Sequence, residues 1–229
     1  MTSQAVLRAM RAEDMPAIED LATRTWKYDE RMTPRNAGLL GRIDACNCLS
    51  RRTFMRVADI DGQVAGLIVA ADRRHPRTDH RLVLRQAAAG LRLLADAEGR
   101  RGLRTFAEYM ATDRALDRDA RGQGRRYDGE IVLFIVDDHY RGHGLGRLLF
   151  DAALAYFRDR GIDDVFLYTD TGCDYGFYDH RGMERRCSRR VDLDQAGGDA
   201  VEEMYIYDGS VGRLTAWTNG GGRHRDRIA

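Results

Sequence analysis

Val136-Asp137-Asp138-His139-Tyr140-Arg141-Gly142-His143-Gly144-Leu145-Gly146-Arg147 is the stretch whose reading decides the fold. Before it lies an apolar run, Glu130 to Val136, which predicts a strand buried on both faces. After it, Leu145, Leu148, Leu149, Ala152 and Tyr156 fall on one face of a helix that Gly161 can end. A strand therefore runs through a glycine-rich turn into a helix. The first turn of such a helix leaves backbone N–H groups without intrahelical acceptors, and the helix dipole adds partial positive charge there. Glycine lets the backbone approach an anion without side-chain collision. Arg141 and Arg147 flank the turn as charge-assisted donors.

Spacing separates the phosphate-binding motifs that share this logic. A P-loop counted from Gly142 requires Gly-Lys-Ser/Thr where the chain has Arg147-Leu148. A dinucleotide fingerprint requires a third glycine where Arg147 stands. What remains is Arg-Gly-x-Gly-x-Gly over 141–146, or a plain glycine-rich cap with no ligand. A second segment lies downstream: Phe177-Tyr178-Asp179-His180-Arg181-Gly182-Met183. Together the two resemble the signatures of the GNAT superfamily of N-acetyltransferases, the first as the acetyl-CoA diphosphate loop. The resemblance is strong over 130–183 and weaker over 1–71.

The rest of the chain suits that order. Residues 5–10 read as a first strand, and Met15, Ile18 and Leu21 mark a helix behind Glu13-Asp14. Pro34, Gly38 and Gly41 reduce 28–50 to a short helix with loops. TFMRVADI and QVAGLIVAA, joined by Asp61-Gly62, predict a hairpin over 53–71. Residues 72–128 predict two helices interrupted at Gly90 and at Gly99–Gly102, and then a mobile loop over 121–129. That segment holds 14 basic and 9 acidic residues, a charge of +5, and reads as an inserted helical lobe. A strand at 164–170, a short helix around 173–181, and an antiparallel pair at 183–192 and 201–207, joined through Gly197-Gly198, complete the plan. The resemblance thus implies an α/β GNAT fold: a central mixed sheet flanked by helices, with a helical insertion between the third and fourth strands. The domain is expected over 1–207, with 208–229 a partly disordered tail.

The resemblance also implies chemistry, namely direct acetyl transfer from acetyl-CoA to a primary amine. Tyr178 matches the position of the acid that protonates the departing thiolate, with Tyr175 able to substitute. A glutamate near Glu130 serves several relatives as base, often through water. A carboxylate at a strand end facing solvent is the competing reading, and Asp128 is a weaker alternative. Phe134, Ile135 and Val136 are expected along the pantetheine arm. Arg141, Gly142, His143, Gly144, Leu145, Gly146 and Arg147 are expected at the diphosphate. Thr171 stands where many relatives carry Asn toward the CoA arm, and Asp174 where they often carry Ala. His139 and His143 lack a regular helix to present them to a metal, so no metal is expected. His180 reads as a solvent-facing residue and Cys173 as a small residue rather than an acyl carrier.

Acceptor specificity is expected from 24–50 and 193–200, where Trp26, Tyr28, Asp29 and Glu30 are candidates to hold a cationic amine. The acceptor is read as a small molecule. A protein or peptide amine, and a non-catalytic acyl-CoA-binding module, are the alternatives. A net charge of +1, from 37 basic and 36 acidic residues, gives no argument for nucleic acid or an anionic membrane as partner. The apolar stripe of the insertion makes a homodimer one of its readings, beside a cover for the acceptor cleft or a docking face for an acidic acceptor. Four cysteines without a Cys-x-x-Cys pattern, and an N-terminus without a long apolar core, predict a cytoplasmic protein.

Overall fold

The computed structural model describes residues 5–192 and 201–220. The chain divides into two compact units, 1–106 with 131–153 and 107–130 with 154–229.

In the first unit the strands β1 (Val6–Arg8), β2 (Phe54–Ile60), β3 (Gln63–Asp72) and β4 (Gly129–Val136) follow one another in sheet order. The expected hairpin is present, with β2 antiparallel to β3 and Ile60 opposite Gln63. Its turn places Asp61 at φ 52° and Gly62 at φ 80°. Two consecutive left-handed residues match the twist of the flanking strands, which is why Asp-Gly reads so clearly as a hairpin. Helices α1 (Met15–Thr25), α2 (Tyr28–Arg31) and α3 (Pro34–Ser50) lie between β1 and β2.

The short helix with loops expected over 28–50 is instead mostly the 17-residue α3. Pro34 opens this helix rather than breaking it, because the first turn needs no N–H from it. Gly41 is not a breaker either. A Cβ there would lie 1.9 Å from Thr23 Oγ1 and 2.7 Å from the Glu19 carbonyl oxygen, so glycine is what lets α3 close on α1.

The inserted helices are α4 (His80–Leu93) and α5 (Ala97–Gly122). Gly90, Gly99 and Gly102 sit inside them rather than between them. The insertion is also not a separate lobe. Ala89 and Leu93 pack with Leu39, Leu40 and Ile43 in the first unit, whereas Leu116 and Ala120 join the core of the second. Part of the apolar stripe stays in water: Leu84 and Leu91 are each 70 % exposed.

β4 departs from burial on both faces. Ile131, Leu133 and Ile135 are buried, while Val132, Phe134 and Val136 are half-buried, so the strand alternates. It leads through a short 3-10 turn (Asp138–Tyr140) to α6 (Leu145–Asp159).

In the second unit β5 (Asp164–Asp170), β7 (Val201–Ser210) and β6 (Glu184–Asp192) lie in that sheet order, with α7 (Gly176–His180) before β6. Both pairings with β7 are antiparallel, with Leu167 and Arg185 each opposite Tyr207. The Gly197-Gly198 join falls outside the described residues. β7 passes the expected limit at 207, and Val211–Gly220 form α8.

The loop expected to be mobile over 121–129 is held in place. Tyr127 is buried, stacks on Phe166 at 4.6 Å between centroids, and donates its hydroxyl to Asp208 at 2.8 Å. Arg125 Nε reaches the same carboxylate at 2.9 Å, as does Arg186 Nε at 3.0 Å. Asp208 is fully buried, and its three donors hold its carboxyl below the usual range against the cost of burial. Nothing local in 121–129 announces this anchor, because the carboxylate lies eighty residues away in the chain.

Candidate active site

The glycine turn takes the form its composition requires. Gly142 and Gly144 have φ 81° and 74°, the left-handed region that costs other residues strain. A Cβ at either position would meet no protein atom within 4 Å, so backbone conformation, not crowding, demands glycine here. Leu145 is buried at 2 % exposure and anchors the start of α6, while residues 141–144 are exposed. The Gly144 carbonyl accepts the Leu148 N–H at 3.1 Å. The amides of Leu145, Gly146 and Arg147 belong to the first helical turn, which has no acceptor one turn back.

Asp137, not singled out in the sequence, fixes the approach to this turn. Its carboxylate is buried and accepts from Arg24 Nη2 at 2.8 Å and from the His139 N–H at 2.9 Å. The His139 ring nitrogen Nδ1 lies 2.7 Å from it as well. These contacts outweigh burial and lower its pKa to about 2. The Asp137 N–H pairs with the Ala65 carbonyl at 3.0 Å, which ties the end of β4 to β3. An acidic residue directly after an apolar strand was the available signal.

The flanking cations are partnered within the chain. Arg141 pairs with Asp138 at 2.6 Å, and Arg147 lies 3.6 Å from Asp151. Both guanidinium side chains remain about two-thirds exposed, at 64 % and 67 %. Exposed pairs of this kind are weak and exchange readily for a more highly charged partner. His143 is exposed and turns its Nδ1 toward the Tyr140 and Arg141 carbonyls. Along β4, Phe134 sets its ring 6.2 Å from that of Phe150, and Ile135 is buried.

The second unit places the remaining candidates. Tyr178 lies on α7 with 8 % exposure, its ring edge-on to Phe177 at 5.6 Å and tilted against Tyr207 at 5.7 Å. Burial raises its pKa well above the usual phenol value, and Cys173, Asp170 and Asp174 add to the shift. The hydroxyl therefore stays protonated through neutral pH, as a proton donor must. Cys173 is likewise held as a thiol, pushed up to about 12 mainly by burial. A neutral thiol is a poor nucleophile, which agrees with reading it as a small residue. Tyr175 sits at the N-terminal boundary of α7 with its ring 5.7 Å from that of Tyr205, beneath the Arg185 guanidinium.

Glu130 is 4 % exposed, so it is not the solvent-facing carboxylate of the competing reading. Asp128 is exposed. Thr171 uses its hydroxyl to accept the Glu203 N–H at 3.3 Å, and its own N–H pairs with the Glu203 carbonyl at 3.0 Å. It thereby extends the pairing of β5 with β7. His180 is exposed and turns Nδ1 to the Gly176 carbonyl at 2.6 Å.

Of the expected acceptor contacts, Asp29 and Glu30 are exposed and Trp26 packs against the core of the first unit. Tyr28 donates its hydroxyl to Asp44 at 2.5 Å. Asp44 is a buried carboxylate on α3 that burial pushes up to about 7. Residues 193–200 lie outside the described residues. Among the described residues no group of three or more His, Cys, Asp or Glu is placed to hold a metal ion. No described helix is long and apolar enough to cross a membrane.

Known proteins resemble this chain at two levels. A segment of 42 residues is 52 % identical to the mycothiol acetyltransferase of Thermobispora bispora, covering 18 % of this chain and 14 % of that protein. A segment of 59 residues is 42 % identical to the mycothiol acetyltransferase of Rhodococcus opacus, covering 25 % and 19 %. The similarity thus spans less than a fifth of these relatives' length. The crystal structure of SsHAT superposes with a TM-score of 0.53 at 17 % identity, covering 91 % of this chain and 98 % of that one. The structure of smu.2055 from Streptococcus mutans UA159 gives 0.52 at 13 % identity, covering 90 % and 99 %. At such identities these likenesses establish the fold. The model of the Acetyltransferase (GNAT) family matches residues 15–183, and the chain belongs to that family.

Proposed function

We propose that the protein transfers an acetyl group from acetyl-CoA directly to a primary amine of a small molecule. The observation that carries the reading is the pair of left-handed glycines before α6, set between two exposed arginines at a helix start whose first-turn amides have no intrahelical acceptor. Family membership supports acetyl-CoA as donor, and relatives named mycothiol acetyltransferase support a small acceptor.

In the reaction the amine nitrogen attacks the thioester carbonyl, a C–N bond forms and the C–S bond breaks. The amine must be neutral to attack, yet a lysine-like amine has a pKa of about 10.4 in water. Glu130 takes its proton, directly or through water, and Tyr178 gives a proton to the departing sulfur. Phe134, Ile135 and Val136 line the pantetheine arm, and the 141–147 turn holds the diphosphate. Thr171, standing where many relatives carry Asn, is a further contact to the CoA arm.

The test is a panel of primary amines with acetyl-CoA, read by a thiol reagent. Release of free CoA thiol with at least one amine is expected, together with a rise in melting temperature on adding acetyl-CoA alone. A thermal shift without thiol release across the panel would identify a non-catalytic acyl-CoA-binding module instead. For the base, Glu130→Gln should lower kcat by about 100-fold across the pH–rate profile. A profile identical to that of the parent protein removes Glu130 from the mechanism.

A further inference from the structure

The first unit contains a cleft of about 690 Å³, lined among others by Arg52, Thr53, Arg77, Asp79, His80 and Arg81. Its volume falls in the range of small-molecule sites. The walls are tied together. The Asp79 N–H pairs with the Ser50 carbonyl at 2.7 Å, joining the end of α3 to the segment before α4. Thr53 Oγ1 accepts the Asp72 N–H at 2.7 Å, which joins the start of β2 to the end of β3.

Charge in this cleft is unbalanced. Arg52 is engaged, donating to the Leu49 carbonyl at 2.6 Å and reaching Asp79 at 3.4 Å. Asp79 is further committed to the Arg81 N–H at 3.1 Å, so the start of α4 is already capped. Among the described residues the guanidinium groups of Arg77 and Arg81 and the imidazole of His80 have no protein partner. Three arginines against one aspartate leave an excess of +2 at the lining without counting His80. Some other arginines of the unit pair with carboxylates, as Arg8 does with Asp14 and Asp59 and Arg85 with Glu19.

We propose that this cleft binds a soluble small molecule through a doubly charged phosphate group. A dianion neutralises the excess, and the planar guanidinium fork matches tetrahedral phosphate oxygens with paired hydrogen bonds. His80 lies at the same lining as a further polar contact. The proposal does not rest on acetyl transfer. Failure of acetyl-CoA to bind would leave it standing, and its own failure would leave the glycine turn untouched.

Calorimetric titration of the full chain with dianionic inorganic phosphate tests it, once alone and once with saturating coenzyme A so that diphosphate binding at α6 is already satisfied. Saturable binding is expected in both titrations, weakening as salt is raised. Arg77→Gln combined with Arg81→Gln should weaken it by at least about tenfold and leave acetyl-CoA affinity unchanged. Both side chains are exposed, so the variant should keep the melting temperature of the parent. Equal phosphate affinity in parent and double variant, or no phosphate binding by the parent, overturns the proposal. Vesicles containing phosphatidylglycerol form a third arm. Binding to them without binding to free phosphate also overturns it, and would assign the arginines and the exposed Leu84 and Leu91 of the same helix to a membrane surface.

Discussion

Tyr178→Phe lowers kcat by about one to three powers of ten while the KM for acetyl-CoA stays close to that of the parent protein. The expectation follows from what the phenylalanine keeps and what it loses. The ring still packs edge-on to Phe177 and tilted against Tyr207, so α7 and its core contacts survive. The hydroxyl proton is gone, and the thiolate must leave without a donor. Burial holds the phenol of the parent protonated above its ordinary range. An acid loses activity as pH rises through its pKa, so Tyr178 places no alkaline limb near neutrality, and any ionisation seen there belongs to another group. Stopped assays of thiol release with a responsive amine measure the effect. Turnover equal to the parent rejects the acid role, while lost turnover together with a lowered melting temperature shows a packing role instead.

Asp208→Ala should cost about 2–4 kcal/mol of stability, taking the lower part of the range for broken buried ion pairs because Arg125 and Arg186 keep some contact with water. For a chain of this size that corresponds to a fall of roughly 5–15 °C in melting temperature. The carboxylate has no exposure and gathers Arg125, Arg186 and the Tyr127 hydroxyl. Its removal takes the acceptor from a buried phenol and a carboxylate from both guanidinium groups, of which Arg186 keeps Glu184 at 2.9 Å and Arg125 lies 3.8 Å from Asp164. Asp208→Asn, which keeps an acceptor but not the charge, should lie between. The same group sets a pH dependence. Its folded pKa is depressed, so its contribution is fully present above the unfolded value of about 3.9 and is lost as pH falls through the lower folded value. Differential scanning calorimetry across acidic pH checks both statements. A melting temperature for Asp208→Ala within about a degree of the parent's would mean that the network adds nothing to stability.

Local chemistry was legible wherever it acts over a few residues. Asp61-Gly62 between two apolar runs specifies a hairpin because consecutive left-handed residues fit the twist of its strands, and the register follows. Gly142 and Gly144 specify a turn that opens a helix, and exposed amides at such a start follow from helix geometry alone. The same local logic misled at Gly41, Gly99 and Gly102. A glycine that breaks a helix and one that lets two helices touch look alike in sequence. Only the neighbour decides, and for Gly41 it is the α1 backbone at Glu19 and the Thr23 side chain. A glycine-rich, arginine-rich stretch at 121–129 reads as mobile until Tyr127 is seen stacked on Phe166.

By itself the sequence determined the strand–turn–helix around Gly142 and Gly144, the hairpin before it, and the place of the tyrosine after it, because each depends on backbone conformation within one short segment. Tertiary structure decided which polar groups are withdrawn from water and what answers them: Glu130 out of solvent, Asp137 under Arg24 and His139, and Asp208 under three donors; it also set the exposed Arg77 and Arg81 at one cleft. Burial and pairing are set by residues tens of positions apart meeting in space, and no pattern confined to a short stretch of chain encodes that meeting.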